Sequence, residues 1–171
     1  AETASENALI PAVLRQGTAD HPDLESLSAA LDELYGGAIE PGVRKKGETQ
    51  CVGFVASFLD DAYTLEGETV LEGAAALLGE LLLDPVTRNG RYLRPYTQNG
   101  CFCPDYVRGE KENLIARIRG QMNDKRRYAT HRLVEEMCRE EAFGVDKLGD
   151  VAHVETITPQ SLWERYQTLL A

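Results

Sequence analysis

Apolar residues recur at spacings of three and four along most of the chain, which is the pattern of amphipathic helices. The segment 22–35 is a clear case, because its leucines fall on one helical face and Gly36-Gly37 follows as a stop signal. Those leucines are Leu24, Leu27, Leu31 and Leu34. We therefore expect this helix to pack by one side.

Four further helices are predicted, at about residues 67–83, 104–123 and 127–139, and after Thr158. Thr158 is expected to cap the last helix, with Pro159 at its first position and Trp163 beside its buried side. The residues predicted to face inward are Val70, Leu71, Ala74, Leu77, Leu78, Leu81, Leu82, Val107, Leu114, Ile118, Met122, Leu133, Val134, Met137, Leu162, Tyr166 and Leu169.

Two strands are predicted, about Ala38–Lys45 and Gln50–Leu59, joined by the turn Lys46-Gly47-Glu48. An independent sheet usually needs about three strands and a packed face. We therefore expect further strands from flanking sequence or from another chain. Residues 86–103 contain several glycines and polar residues, and they are predicted to form a long surface loop.

The chain is acidic, with a formal net charge of −10 over 171 residues. This balance argues against a nucleic acid or an anionic membrane as partner, because both attract clusters of Lys and Arg. No apolar run approaches the ~18–20 residues of a spanning helix, and no secretory signal is visible. We expect a cytoplasmic protein with reduced thiols, while a metal held by Cys101 and Cys103 together with a partner stays open.

Several short strings occur in the order in which a known family has them. They are Val13–Thr18, Leu27–Gly37, Leu81–Pro85, Glu110–Ile118, Phe143–Gly149 and Ile157-Thr158. Together they resemble the first repeat of the pitrilysin/insulinase (M16) metallopeptidases, which include the mitochondrial processing peptidase. The resemblance implies an α+β fold, part of an M16-type α/β roll with an antiparallel sheet and helices packed on one face. It also implies that residues 1–171 form a single domain, a fragment of the N-terminal repeat of a longer protein.

The zinc site of that family is the part of the resemblance that fails. Its His-x-x-Glu-His motif lies on a helix, where two His bind zinc and the Glu is the general base. Counting back from Gly17-Thr18 places these positions at Ala8, Pro11 and Ala12, and the third ligand falls at Arg117. None of these side chains can bind zinc, so we expect no metal, no cofactor and no catalytic residue. Pro11 is also expected to kink or begin the helix.

The resemblance therefore implies a non-catalytic subunit, like the inactive bacterial homologues that accompany active ones. Its role would be structural or peptide-holding, and its partner a homologous subunit or the rest of the same protein. In the family, extended peptides add to an edge strand. The matching residues here are Ala38, Ile39, Glu40, Pro41, Gly42 and Val43. The other interpretation of this strand is an edge protected against pairing, because Pro41 and Gly42 interrupt it.

Two alternatives remain open at this point. The chain could belong to a zinc-dependent metalloendopeptidase whose ligands lie outside these residues, or it could be an acidic helical interaction module. The three histidines do not decide between them, because no two have the spacing of a zinc pair. We expect His21 to be a surface turn residue, and His131 and His153 to be solvated. For His131, beside a short basic run, contact with an anion or a partner is the alternative.

Overall fold

The computed structural model describes residues 3–65, 67–87 and 100–171. Within these ranges the chain forms helices and one hairpin. They are α1 (Ala4–Leu14), α2 (Leu24–Glu33), β1 (Ala38–Lys46), β2 (Thr49–Ser57), α3 (Val70–Leu83), α4 (Pro104–Gly120), α5 (Lys125–Met137), α6 (Val151–Thr156) and α7 (Pro159–Leu170). The predicted helix-rich α+β class is thus confirmed. The fold class does not establish the specific α/β roll, because the described residues contain only a two-stranded sheet.

The hairpin forms because Gly47, with φ of +60°, provides the left-handed residue that a two-residue loop requires. β1 and β2 pair antiparallel from Lys46 opposite Thr49 to Ala38 opposite Ser57. β1 follows its predicted range closely, and β2 ends before the predicted Leu59. In both strands one face packs against the helices, with Ile39, Val43 and Phe54 in contact with the core.

Among the described residues, the larger of two hydrophobic clusters joins α1, α4, α6 and α7. Its centre is aromatic: the Phe102 and Trp163 rings meet edge to face with centroids 5.1 Å apart, and Tyr166 lies 5.4 Å from Trp163. The smaller cluster joins α2, β1 and α3 through Leu27, Ile39 and Leu81, among others. Each helix with a strong apolar stripe is thereby covered on one side.

The helix α1 differs from the expectation at Pro11. The helix begins at Ala4 and Pro11 lies inside it, fully buried, so Pro11 does not begin the helix. A proline inside a helix loses one backbone hydrogen bond. Most of α1 is buried in the larger cluster, and this packing offsets that loss.

Several predicted inward residues face solvent instead. Leu71, Leu82, Met122, Leu133, Met137 and Leu169 are exposed. The clearest reason is α5, which lies at the periphery and buries none of its residues.

The short α6 was not predicted. Phe102 was placed in a surface loop, yet it is buried and Thr87 pairs with it as an isolated bridge; residues 88–99 of that predicted loop lie outside the described residues.

Candidate functional site

The positions that the resemblance assigned to zinc lie on α1 and α4, two helices that pack against each other. Just beyond α1, Gln16 donates its Nε2 proton to Oε1 of Glu110 on α4 at 2.8 Å. Ala8 and Pro11 are buried, Ala12 is half-buried, and Arg117 is exposed. These side chains offer two methyl groups, a proline ring and a guanidinium, none of which binds a divalent cation.

A search of the described ranges finds no cluster of three or more His, Cys, Asp or Glu side chains suited to holding a metal. Cys101 and Cys103 are half-buried, and neither forms a disulfide within the described residues. The same ranges contain no helix that is both long and apolar enough to span a bilayer. The predicted lack of a metal, of a cofactor and of catalytic residues stays a prediction.

The residues of the predicted peptide-binding strand form the first part of β1. Ile39 is buried, Ala38 and Glu40 are exposed, and Pro41, Gly42 and Val43 are half-buried. Among the described residues β1 pairs with β2 only, so its other edge has no strand partner. We call this edge, formed by residues 38–46, the β1 edge.

The register decides which backbone groups face the β1 edge. A two-residue loop makes Lys46 and Thr49 a hydrogen-bonded pair, and antiparallel pairs then alternate between bonded and non-bonded. Pro41 and Phe54 are therefore a non-bonded pair. The N–H that Pro41 lacks would have pointed away from β2, so the proline costs no hydrogen bond between the two strands. The outward positions are those of Ile39, Pro41, Val43 and Lys45.

One outward group is already occupied. Arg15, directly after α1, donates its Nε proton to the carbonyl oxygen of Ile39 at 2.8 Å. Its Nη1 is buried with no hydrogen-bond partner among the described residues. With Ile39 O taken and Pro41 lacking a proton, Val43 and Lys45 carry the outward N–H groups that remain in the second half of β1. Nothing in the sequence pattern links Arg15 to the strand, so sequence reasoning missed this contact.

The turn end of the hairpin is fixed by two side-chain amides, the buried Asn7 and the half-buried Gln50. Asn7 of α1 donates from Nδ2 to Oε1 of Gln50 at 2.9 Å and accepts from Nε of Arg165 at 2.7 Å. Gln50 in turn donates to the carbonyls of Ala4 at 3.0 Å and Lys147 at 2.6 Å. The β1 edge thus lies on a hairpin held by the first and last helices and by the loop before α6.

The histidines also make contacts that the sequence did not reveal. His21 Nδ1 lies 3.0 Å from Oε2 of Glu80, which also accepts from the hydroxyl of buried Thr18 at 3.2 Å. The Thr18 hydroxyl oxygen lies 3.4 Å from the same nitrogen, His21 Nδ1. A catalytic relay needs the nucleophile and the orienting carboxylate on opposite ring nitrogens, so this arrangement is not one. The contacts of His21 and Thr18 with Glu80 connect the loop after α1 to α3. His131 lies between Glu135 and Asp146 and is half-buried.

Comparisons with known proteins place these observations in context. No protein-family model matches the chain. It is similar to the probable inactive metalloprotease YmfF of Bacillus subtilis (strain 168), with 32% identity over 169 residues, which are 99% of this chain and 37% of that protein. It is also similar to the crystal structure of a conserved protein from Enterococcus faecalis V583, with a TM-score of 0.82 and 30% identity over 99% of this chain and 38% of that one.

The chain therefore spans less than two fifths of the length of these relatives. This finding corrects the assignment to the pitrilysin/insulinase (M16) family, because no family model matches and the similarity to YmfF covers only a minor part of that protein. The physical reason for the mismatch is that short strings, such as a helix end or a Gly-Thr turn, recur in unrelated proteins wherever the same local geometry is needed. What the comparisons support is that nearly the whole chain is similar to a segment of a probable inactive metalloprotease.

Proposed function

We propose that this chain belongs to a non-catalytic, peptidase-like protein and that it holds an extended peptide along the β1 edge. The observation that carries the proposal is the outer edge of β1, which has no strand partner among the described residues and towards which the register points the backbone groups of Val43 and Lys45. The name of the Bacillus subtilis relative, a probable inactive metalloprotease, supports the non-catalytic part.

The bound peptide would add as a strand and exchange main-chain hydrogen bonds with β1. Its ladder would include Val43 and Lys45 and the carbonyl of Pro41. It would not extend normally past Pro41, because Arg15 occupies the next outward carbonyl. The peptide is thus held on the half of β1 near the turn, next to the loop that Lys45 contacts.

Holding without cleavage agrees with the side chains at positions 8, 11, 12 and 117. A hydrolytic zinc site needs imidazole or carboxylate ligands and a base for the bound water. Ala8, Pro11, Ala12 and Arg117 offer neither. We further propose that the active partner is a homologous subunit or the remaining part of the same protein.

The test uses two proline substitutions that differ only in the edge they block. Val43 and Val52 are opposite each other, and both N–H groups face away from the hairpin. Val43→Pro removes a donor from the β1 edge, and Val52→Pro removes one from the edge of β2. Short random-sequence peptides are first selected for binding to the purified protein, and a hit is resynthesised with a fluorescent label.

We expect Val43→Pro to weaken binding of that peptide roughly five- to tenfold, which is the value of one backbone hydrogen bond, and Val52→Pro to leave it unchanged. In the unaltered protein, NMR hydrogen exchange should slow at the Val43 and Lys45 amides when the peptide is added. This second measurement does not depend on either variant folding. Equal effects of the two substitutions, unprotected amides at Val43 and Lys45, or a selection that yields no peptide would each refute the proposal.

A further inference from the structure

A cleft of about 480 Å³ lies between α5 and the loop 142–147. Its apolar wall consists of Val134, Phe143 and Val145. A second cleft, also of about 480 Å³, continues on the other side of His131 towards α4 and is lined by Arg117. The two share Arg127, His131, Asp146 and Lys147. We call the pair the α5 cleft.

The first part of the α5 cleft has a positive local charge, opposite in sign to the net charge of the protein. Lys45, Arg126, Arg127 and Lys147 line its first part, against the carboxylates of Glu135 and Asp146. Cations therefore outnumber carboxylates two to one there, whereas the whole chain carries a net charge of −10. A positive concavity on a negative molecule concentrates anions at that place.

The carboxylates of the cleft are already engaged: Asp124, in the second part, pairs with Arg127 at 3.4 Å. Asp146 pairs with Nε2 of His131, and Oε1 of Glu135 lies 3.5 Å from Nδ1 of the same ring. Glu135 also accepts from Arg132 at 2.5 Å. In the described ranges, by contrast, the side chains of Arg117, Arg126 and Lys147 form no ion pair. Their charges remain available to a ligand.

Lys45 connects the cleft to the β1 edge. Its Nζ donates to the carbonyls of Phe143 and Val145, both at 2.5 Å, and lies 5.0 Å from the centroid of the Phe143 ring. These bonds fix the loop that forms one wall of the cleft against the strand. A peptide that pairs with the backbone of Lys45 would leave the strand next to that wall.

We propose that the α5 cleft binds an acidic stretch of the peptide held on the β1 edge, with Glu or Asp side chains at Arg126, Lys147 and Arg117 and apolar side chains on Phe143 and Val145. This inference rests on the proposed function and adds the class of ligand to it. Charge complementarity favours an acidic peptide over a basic or neutral one, and the apolar wall favours a peptide over a small inorganic anion.

The experiment compares two synthetic peptides that share the core selected for β1 binding, one extended by glutamates and the other by glutamines. We expect the glutamate peptide to bind more tightly, with a preference that falls as salt is raised. The double change Arg126→Glu with Lys147→Glu should weaken its binding by at least about tenfold and abolish the preference, because like charges then face each other. Arg119→Glu, an exposed charge reversal on α4 outside the cleft, should leave both peptides within about twofold.

The outcomes separate this inference from the proposed function. Equal binding of the two peptides, or a preference that survives the double charge reversal, refutes the acidic ligand and leaves the β1 edge intact if Val43 stays protected. A third peptide, extended by lysines, is the control for the sign of charge: if it binds best, the assignment of charge is wrong. If neither peptide protects Val43, the proposed function fails and this inference with it.

Discussion

Asp23 illustrates how a single carboxylate sets the start of a helix. It precedes α2, and its Oδ1 accepts a hydrogen bond from the backbone N–H of Ser26 at 2.8 Å. In return, Ser26 Oγ accepts from the backbone N–H of Asp23. The hydrogen bond from the Ser26 backbone lowers the pKa of Asp23 below its ordinary value of 3.8, and the Ser26 hydroxyl adds to this effect. The charged form is therefore the one that the folded state favours.

The lowered pKa of Asp23 predicts a pH dependence of stability. Because the folded-state pKa lies below the unfolded-state pKa, the stabilisation is complete above the unfolded value and is lost as the pH falls through the folded value. Asp23→Asn keeps a good cap but cannot titrate. Thermal unfolding at a series of pH values should show the unaltered protein losing stability relative to Asp23→Asn as the pH falls below about 4. A constant difference between the two proteins across that range would contradict the prediction.

At the scale of elements, α7 is held by one face. Leu162, Trp163 and Tyr166 are buried, and the Tyr166 hydroxyl donates to the carbonyl of Leu82 at 2.6 Å, which connects α7 to α3. Gly100 lies against the indole of Trp163, so closely that a Cβ there would fall 2.2 Å from the ring. The last helix is thus an integral part of the larger cluster and not an appendage.

Removal of the indole should therefore be costly. Trp163→Ala is expected to lower the free energy of unfolding by about 3–5 kcal/mol, because it empties a fully buried aromatic site. Leu169→Ala, in the same helix but 41% exposed, should cost less than about 1 kcal/mol. Urea denaturation of both variants measures the difference, and similar values for the two would show that α7 is not anchored through Trp163.

The elements also show what a sequence can and cannot predict. The helix faces of Leu27 and Leu31 and of Leu162 and Tyr166 were predicted because periodicity reflects burial when a helix packs on a core. The same periodicity misled for Leu133 on α5, since this helix has no neighbour covering that face among the described residues. The six residues of α6 are too few to carry a pattern.

The candidate site was predicted only in part for a related reason. Ala8, Pro11, Ala12 and Arg117 were named by counting along a family resemblance that the comparisons do not support, so their place in a site stays a prediction. The contact between Arg15 and Ile39 and the cluster around His131 join residues distant in sequence. A single sequence without variation among relatives carries no signal for such pairs.

At the scale of the whole molecule, the predicted absence of zinc chemistry can be measured. After dialysis against zinc-free buffer, the protein purified with its natural flanking sequence should retain no stoichiometric zinc by elemental analysis and should not hydrolyse the peptides selected for binding to it. Thiols can bind zinc nonetheless, so Cys101→Ser with Cys103→Ser is the control for metal held by cysteine. Zinc that survives the double substitution and accompanies peptide hydrolysis would favour the alternative of a zinc peptidase with ligands outside these residues.

The amide of Asn7 has a consequence for how damage spreads through the protein. This one side chain, 8% exposed, is shared by Arg165 of the last helix and Gln50 of the hairpin. A proteolytic cut ahead of Arg165 would therefore remove a partner from an amide lying beneath the strands, although the cut itself lies far along the chain. Loss of α7 would therefore loosen the hairpin that carries the β1 edge, because Asn7 would then hold Gln50 without its own support from Arg165.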